Sequence, residues 1–137
     1  MWLLDTNVLS ELRRQNRADP KVAAWSDALH PEELFLSAIT ILEIEAGALR
    51  IERRDKTQGA ILRAWIDHRV LPAFAGRILP IDTAVALRCA RLHVPNPRSE
   101  RDALIAATAL VHRLKVATRN VADFEPMEVE LFNPWQG

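Results

Sequence analysis

The chain has no tyrosine, a single cysteine, four glycines and only three lysines among its 18 basic residues. Each scarcity removes a class of explanation. The lone cysteine, Cys89, cannot form an internal disulfide and fits a reducing compartment. Flanked by helical text from Leu87 to Leu92, it reads as a small packed side chain. No glycine-rich loop is available to cradle a phosphate, and no serine sits in a nucleophile elbow. No apolar run approaches the roughly 20 residues that cross a bilayer, so no membrane partner is expected. No basic stretch precedes the first apolar run, and the expectation is a cytoplasmic protein without a cleaved secretion signal.

Net charge is missing as well: 18 acidic residues balance 18 basic ones. Were four of those acids committed to a cation, the remainder would carry about +4. Arginine, which suits bidentate contacts to phosphate and carboxylate, supplies the basic charge almost alone. It clusters at Arg13, Arg14 and Arg17 and again at Arg50, Arg53 and Arg54, where a solvated face explains it equally well. What is abundant is apolar side chain, at 49% of 137 residues. That is enough for one domain with a proper core and too short for two, so a single domain over 1–137 is expected.

Trp2, Leu3 and Leu4 form a short apolar run that Asp5 ends. Thr6 and Asn7 offer side-chain hydrogen bonds as the chain turns into a helix over Val8–Arg14. This predicts a buried strand delivering a carboxylate to its C-terminal edge, where open parallel α/β sheets hold ligands. Capping of the helix accounts for the same aspartate. Further strands are predicted at Leu34–Ser37, Ile78–Leu79, Val116–Thr118 and Val129–Phe132. Helices are predicted after Asp19-Pro20, from Ile39 through Gly47, around Ile61 to Ile66, over Asp82–Leu92 and over Ser99–His112. Gly47 is expected to permit close backbone packing. Two prolines break the pattern between Val94 and Arg98. Strands alternating with helices give an α/β class: a three-layer α/β/α domain with a mostly parallel five-stranded sheet.

Asp5, Glu43, Asp102 and Asp123 each fall at a strand-to-helix transition or in the first turns of a helix. Such positions can converge on one sheet edge, and neighbouring buried carboxylates stay ionised only with positive compensation. An all-oxygen group of this kind suits magnesium or manganese. A competing reading remains open. Thr40 to Glu43, Ser99 to Asp102 and Asn120 to Asp123 each place an acid three residues after a capping residue, the spacing of a capping box or a close variant. Among the other acids, Asp82 reads as a cap, Glu11 as an arginine partner near the cleft, and Glu45 as facing elsewhere. The four histidines, at 30, 68, 93 and 112, show no ligand spacing among themselves. Metal-activated water is therefore the expected nucleophile if the chain is an enzyme.

The ordered pattern resembles the PIN-domain family, in particular its VapC toxins and FitB-like members. The matching pieces are Leu3-Leu-Asp-Thr-Asn-Val-Leu-Ser-Glu-Leu12, Ser37-Ala-Ile-Thr-Ile-Leu-Glu43 with Gly47, and Arg77-Ile-Leu-Pro-Ile-Asp82. They continue through Asp102-Ala-Leu-Ile-Ala-Ala-Thr-Ala-Leu110, Thr118-Arg-Asn-Val-Ala-Asp-Phe124 and Asn133-Pro-Trp135. The resemblance implies a PIN-like fold and a Mg²⁺- or Mn²⁺-dependent endoribonuclease that leaves a 5′-phosphate and a 3′-hydroxyl. It implies metal ligands at Asp5, Glu43, Asp102 and Asp123, with Thr6 or Asn7, Thr118 and Asn120 supporting the site or touching phosphate. It further implies a cognate VapB-like antitoxin through which promoter DNA is reached only indirectly, and a homodimer, for which Trp65 or Leu92 offers apolar surface. Helices around residues 8–15, 22–29 and 40–53 are the expected receiving surfaces for the antitoxin. The departure from the family pattern lies before Asp102, where Pro95, Pro97 and Arg98 make a stiffer, arginine-bearing rim. The alternative class is a non-catalytic PIN-like domain that binds RNA or protein.

Overall fold

In the computed structural model, which describes residues 1–137, the opening run becomes the centre of the sheet. Strand β1 (Trp2–Leu4) pairs in parallel with β2 (Leu34–Ser37) on one side and β4 (Lys115–Ala117) on the other. Strands β3 (Ile78–Leu79) and β5 (Leu131–Phe132) complete the order β3-β2-β1-β4-β5. Every pairing is parallel, so the expected "mostly parallel" sheet is wholly so. Successive side chains of a strand face opposite sides. Leu3 accordingly enters one core with Val116, Ile105 and Phe124, while Leu4 enters the other with Val8, Leu36 and Ala117. Burial on both faces explains why these strands read as unbroken apolar runs.

The helices cover the two faces. Helices α1 (Thr6–Leu12), α2 (Pro20–Asp27) and α3 (Ala38–Arg54) follow the first two strands. Next comes α4 (Lys56–Trp65), which runs through a π-helical turn at Ile66–Val70 into the short α5 (Leu71–Ala73). Helices α6 (Thr83–Leu92), α7 (Glu100–His112) and α8 (Val121–Phe124) surround the last three strands. Several starts differ from the periodicity. Helix α1 begins at Thr6 because Asp5 caps it, and α3 begins at Ala38 because the Ser37 hydroxyl accepts the Ile39 amide at 3.0 Å.

Gly47 does not mediate close packing, since a Cβ there would meet nothing within 4 Å. Gly59 does. A Cβ on it would come within 2.6 Å of the Glu52 Cα, so glycine is what lets α4 fold back against α3. The hairpin is then tied by Arg63, which holds both oxygens of Glu45 at 2.7 Å and Glu52 at 3.2 Å. No helix is long and apolar enough to cross a membrane.

Candidate functional site

The chain leaves β1 toward one side of the sheet and β4 toward the other, so the strand order reverses between them. Crevices at the carboxyl ends of strands at such a switch point are where α/β sheets bind ligands. Asp5 stands there, 6% exposed, and its own amide bonds the Ala117 carbonyl at 2.9 Å. Thr118, fully buried at the end of β4, donates its hydroxyl to Asp5 Oδ2 at 2.8 Å and accepts the Asn120 amide at 2.9 Å. That second bond uses one of the hydroxyl's two lone pairs and leaves its proton for the carboxylate. Asn7 adds a weaker donation to Asp5 Oδ2 at 3.3 Å, and its carbonyl oxygen accepts the Arg119 amide at 3.3 Å. Asp5 Oδ1 accepts the Thr6 amide at 2.8 Å, so the helix-capping role is real, and it occupies only one of the two carboxylate oxygens.

Glu43 arrives from the second turn of α3. Its Oε1 accepts the Thr6 hydroxyl at 2.6 Å, and buried Thr40 lies 3.3 Å from that same hydroxyl. The Arg101 guanidinium reaches Glu43 Oε2 at 3.6 Å from the first turn of α7. Asp102, next on α7, is half-buried, and exposed Asp123 is held on α8.

The electrostatics identify these four acids as one group. Burial raises the Asp102 carboxyl above its ordinary range, and the charges of Asp5, Asp123 and Glu43 raise it further. Burial likewise raises Asp5, with Glu43 adding to it, although Thr118, Thr6 and Asn7 hydrogen-bond the ionised form and pull it back. The crevice thus holds more negative charge than its own residues compensate. The carboxylates do not close into a tight cage, for no three of their ligand atoms come within 4.8 Å of one another.

The capping-box reading fails for Glu43 and is met only in part for the others: Ser99 and Asn120 occupy the N-cap positions of α7 and α8, and a Ser99 hydrogen bond to Asp102 partly offsets the rise of its carboxyl. Thr40 lies inside α3 rather than at its start, and neither Ser99 nor Asn120 caps its helix with its side chain. Asp82 does cap α6, accepting the Val85 amide at 3.0 Å. Glu11 is engaged by Arg14 at 3.2 Å and by the Asp19 amide at 2.7 Å. Trp65 and Leu92 are partly buried against the chain's own cores, and Trp65 leaves part of its ring to a groove. This apolar groove of about 630 Å³ opens between α1 and the α4–α5 segment, lined by Leu9, Leu12, Arg13, Ile61, Trp65 and Phe74 among others. Residues 8–15 and 22–29 contribute to it, 40–53 do not, and the 61–74 stretch adds lining that the sequence pattern does not single out.

The sequence pattern also missed a second group of ligand atoms, Cys89, His93 and Glu100. The signal was present in the four-residue spacing of Cys89 and His93 on one helix face, but histidine spacing alone conceals it.

Known proteins are similar to this chain over nearly its whole length. Toxin FitB of Neisseria gonorrhoeae is 41% identical over 141 aligned positions, which take in 98% of this chain and 99% of that protein. VapC ribonuclease Y4jK of Sinorhizobium fredii is 38% identical over 141 positions, covering 99% of each. A solved structure of FitAB bound to the IR36 DNA fragment superposes with a TM-score of 0.87 at 39% identity, covering 98% of this chain and 96% of that one. Residues 2–125, the span that carries Asp5, Glu43, Asp102 and Asp123, match the PIN domain family, and the chain belongs to that family.

Proposed function

We propose that this chain is a toxin endoribonuclease that hydrolyses RNA phosphodiester bonds with a divalent cation, and that a cognate VapB-like antitoxin neutralises it. The observation that carries this reading is the grouping of Asp5, Glu43, Asp102 and Asp123 at the switch-point crevice, with the carboxyls of Asp5 and Asp102 raised by burial first and by neighbouring carboxylate charge second. Relatives of near-equal length named as a toxin and as a ribonuclease support it. We take residues 1–137 as one PIN domain, since β5 lies beyond the matched span yet belongs to the same sheet.

The donor set fits a hard cation, Mg²⁺ or Mn²⁺, because all four side chains offer carboxylate oxygen and none offers sulfur or imidazole. Asp5, Glu43 and Asp102 would hold it, with Asp123 completing the site from its exposed side. The open spacing of the oxygens suits an ion that keeps part of its water shell. When bound, the cation supplies the charge that acidifies water and neutralises the phosphate.

The chain's own residues set the geometry. Thr118, held by Asn120, fixes Asp5 at 2.8 Å, and Thr6 fixes Glu43 at 2.6 Å, so both carboxylates are oriented before any substrate arrives. Arg101 stands beside Glu43 where a phosphate would approach, and a guanidinium there draws the RNA backbone. Arg119 follows Thr118, with its guanidinium stacked 5.0 Å from the Trp135 ring centre. The Arg119 amide bonds Asn7, and we assign the aromatic-backed guanidinium to contacts with unpaired bases. In-line attack by water leaves a 5′-phosphate and a 3′-hydroxyl.

The groove lined by Leu9, Leu12, Trp65 and Phe74 is the receiving surface we assign to an apolar segment of the antitoxin, and promoter DNA is reached only through that partner. For the homodimer, α6 offers Leu87, 66% exposed, in place of Trp65 or Leu92. The test is cleavage of varied single-stranded RNAs by purified protein in Mg²⁺ or Mn²⁺, with and without chelator, beside Asp5→Asn. Chelator-sensitive cleavage that Asp5→Asn abolishes supports the reading. RNA binding without cleavage in either cation would return the chain to the non-catalytic class.

A further inference from the structure

Cys89 and His93 lie one turn apart at the end of α6, and the loop after His93 folds back to place Glu100, the first residue of α7, beside them. The Cys89 Sγ to His93 Nε2 distance is 3.7 Å, His93 Nε2 to Glu100 Oε2 is 3.8 Å, and all three ligand atoms lie within 4.8 Å of one another. Zinc bonds of about 2.3 Å to sulfur and 2.0–2.2 Å to nitrogen and oxygen put tetrahedral neighbours roughly 3.3–3.6 Å apart, so the two His93 pairs close with shifts of a few tenths of an ångström and the Cys89–Glu100 pair with at most about 1 Å. The donors run from the core to the surface: Cys89 is buried, His93 half-buried and Glu100 exposed. An ion therefore has a route in and an open side for a fourth ligand. Sulfur, imidazole and carboxylate together select a borderline cation over magnesium.

We propose that Cys89, His93 and Glu100 bind one divalent cation of the zinc class, separate from the carboxylate crevice, through the thiolate, Nε2 and a carboxylate oxygen. The charges close, since one thiolate and one carboxylate offset the ion. Burial, with the Glu100 charge adding to it, raises the Cys89 thiol above its ordinary range, so the metal-free cysteine is protonated and releases its proton to solvent on binding.

His93 couples the site to the loop before α7. The Arg98 amide donates to His93 Nδ1 at 3.0 Å, so the neutral ring carries its proton on Nε2, facing Cys89 and Glu100. An ion on Nε2 sends that proton to Nδ1, where it opposes the Arg98 amide. The 94–98 segment must then turn that amide away. This segment already holds the Arg98 Nε buried without an acceptor, a cost that rearrangement can relieve. Ion binding and loop conformation are thereby linked.

The experiment titrates the metal-free full chain with Co²⁺ as a spectroscopic stand-in for zinc. Because the chain has one cysteine, a thiolate-to-cobalt charge-transfer band reports Cys89 alone. Wild type and Asp5→Asn are expected to develop the band at one equivalent and lose it when Zn²⁺ is added, while amide exchange at Arg98 quickens. Cys89→Ser abolishes the band. Glu100→Gln, a surface change that leaves folding intact, weakens cobalt binding at least about tenfold, since even outer-shell partners are worth that much. A wild-type chain without the band, or affinity unchanged in both His93→Gln and Glu100→Gln, overturns the proposal.

Discussion

The carboxylate crevice and the Cys89–His93–Glu100 cluster both place ligand atoms on an apolar scaffold, but they are assembled on different scales. The crevice draws on β1, α3, α7 and α8, and its Thr118–Asp5 bond joins residues 113 apart in the chain. Only the parallel sheet brings those parts together. The cluster draws on two consecutive helices and the loop between them. Helix α7 serves both: Glu100 turns toward His93, while Asp102, two residues on, feels the charges of the crevice. The difference is chemical too. One group is all carboxylate and carries uncompensated negative charge, whereas the other mixes sulfur, nitrogen and oxygen. Topology thus separates an all-carboxylate group from a mixed-donor group on the same helix.

The largest expected effect sharpens that separation. Asp102→Asn is predicted to lower RNA cleavage on the order of 10³–10⁴-fold with an unchanged far-ultraviolet spectrum, while Glu100→Gln leaves cleavage within a factor of about two. Equal losses from both would merge the two groups into one site. Next, Thr118→Val removes the hydroxyl that holds Asp5 and should weaken Mn²⁺ binding about 10- to 100-fold. Unaltered Mn²⁺ affinity would show that Asp5 is positioned without it.

A smaller effect follows from the raised carboxyls. In the folded protein Asp5 and Asp102 hold their protons to higher pH than in the unfolded chain. Their contribution to stability is therefore fully present below the ordinary value of 3.8 and is lost as pH rises through the raised folded values. Thermal unfolding of metal-free protein should show this loss, and Mg²⁺ at neutral pH should recover a few degrees in Tm in wild type but not in Asp5→Asn. A Tm indifferent to both pH and Mg²⁺ would count against crowded carboxylates. Smallest of all, Arg101→Ala removes a half-exposed partner of Glu43, and Mn²⁺ should then bind no more than about fivefold tighter, the scale of a surface ion pair.

How far the sequence reached depended on whether the deciding contact was local. Leu3 and Leu4 could be read as strand because both faces are buried, and the periodicity of 99–112 could be read as helix for the same reason. The alternation of elements identified the layers. Periodicity says nothing of which glycine lies in a close crossing: the pattern points to Gly47, and it is Gly59 that lets the helices meet. Capping spacing puts Ser99 and Asn120 at the N-caps of α7 and α8, where the structure has them, but it fails at Thr40, because Ser37 starts α3 three residues earlier. The four acids could be placed at element ends, but their meeting rests on strand order. Cys89 was correctly read as packed; its neighbour Glu100 lies across a loop whose fold the sequence does not spell out.

The most direct test compares Mn²⁺-dependent RNA cleavage by three purified chains under one condition: wild type, Asp5→Asn and Cys89→Ser. A hard-cation centre at the sheet switch point predicts that Asp5→Asn abolishes cleavage while Cys89→Ser retains it. Cleavage by Asp5→Asn at the wild-type rate would contradict it.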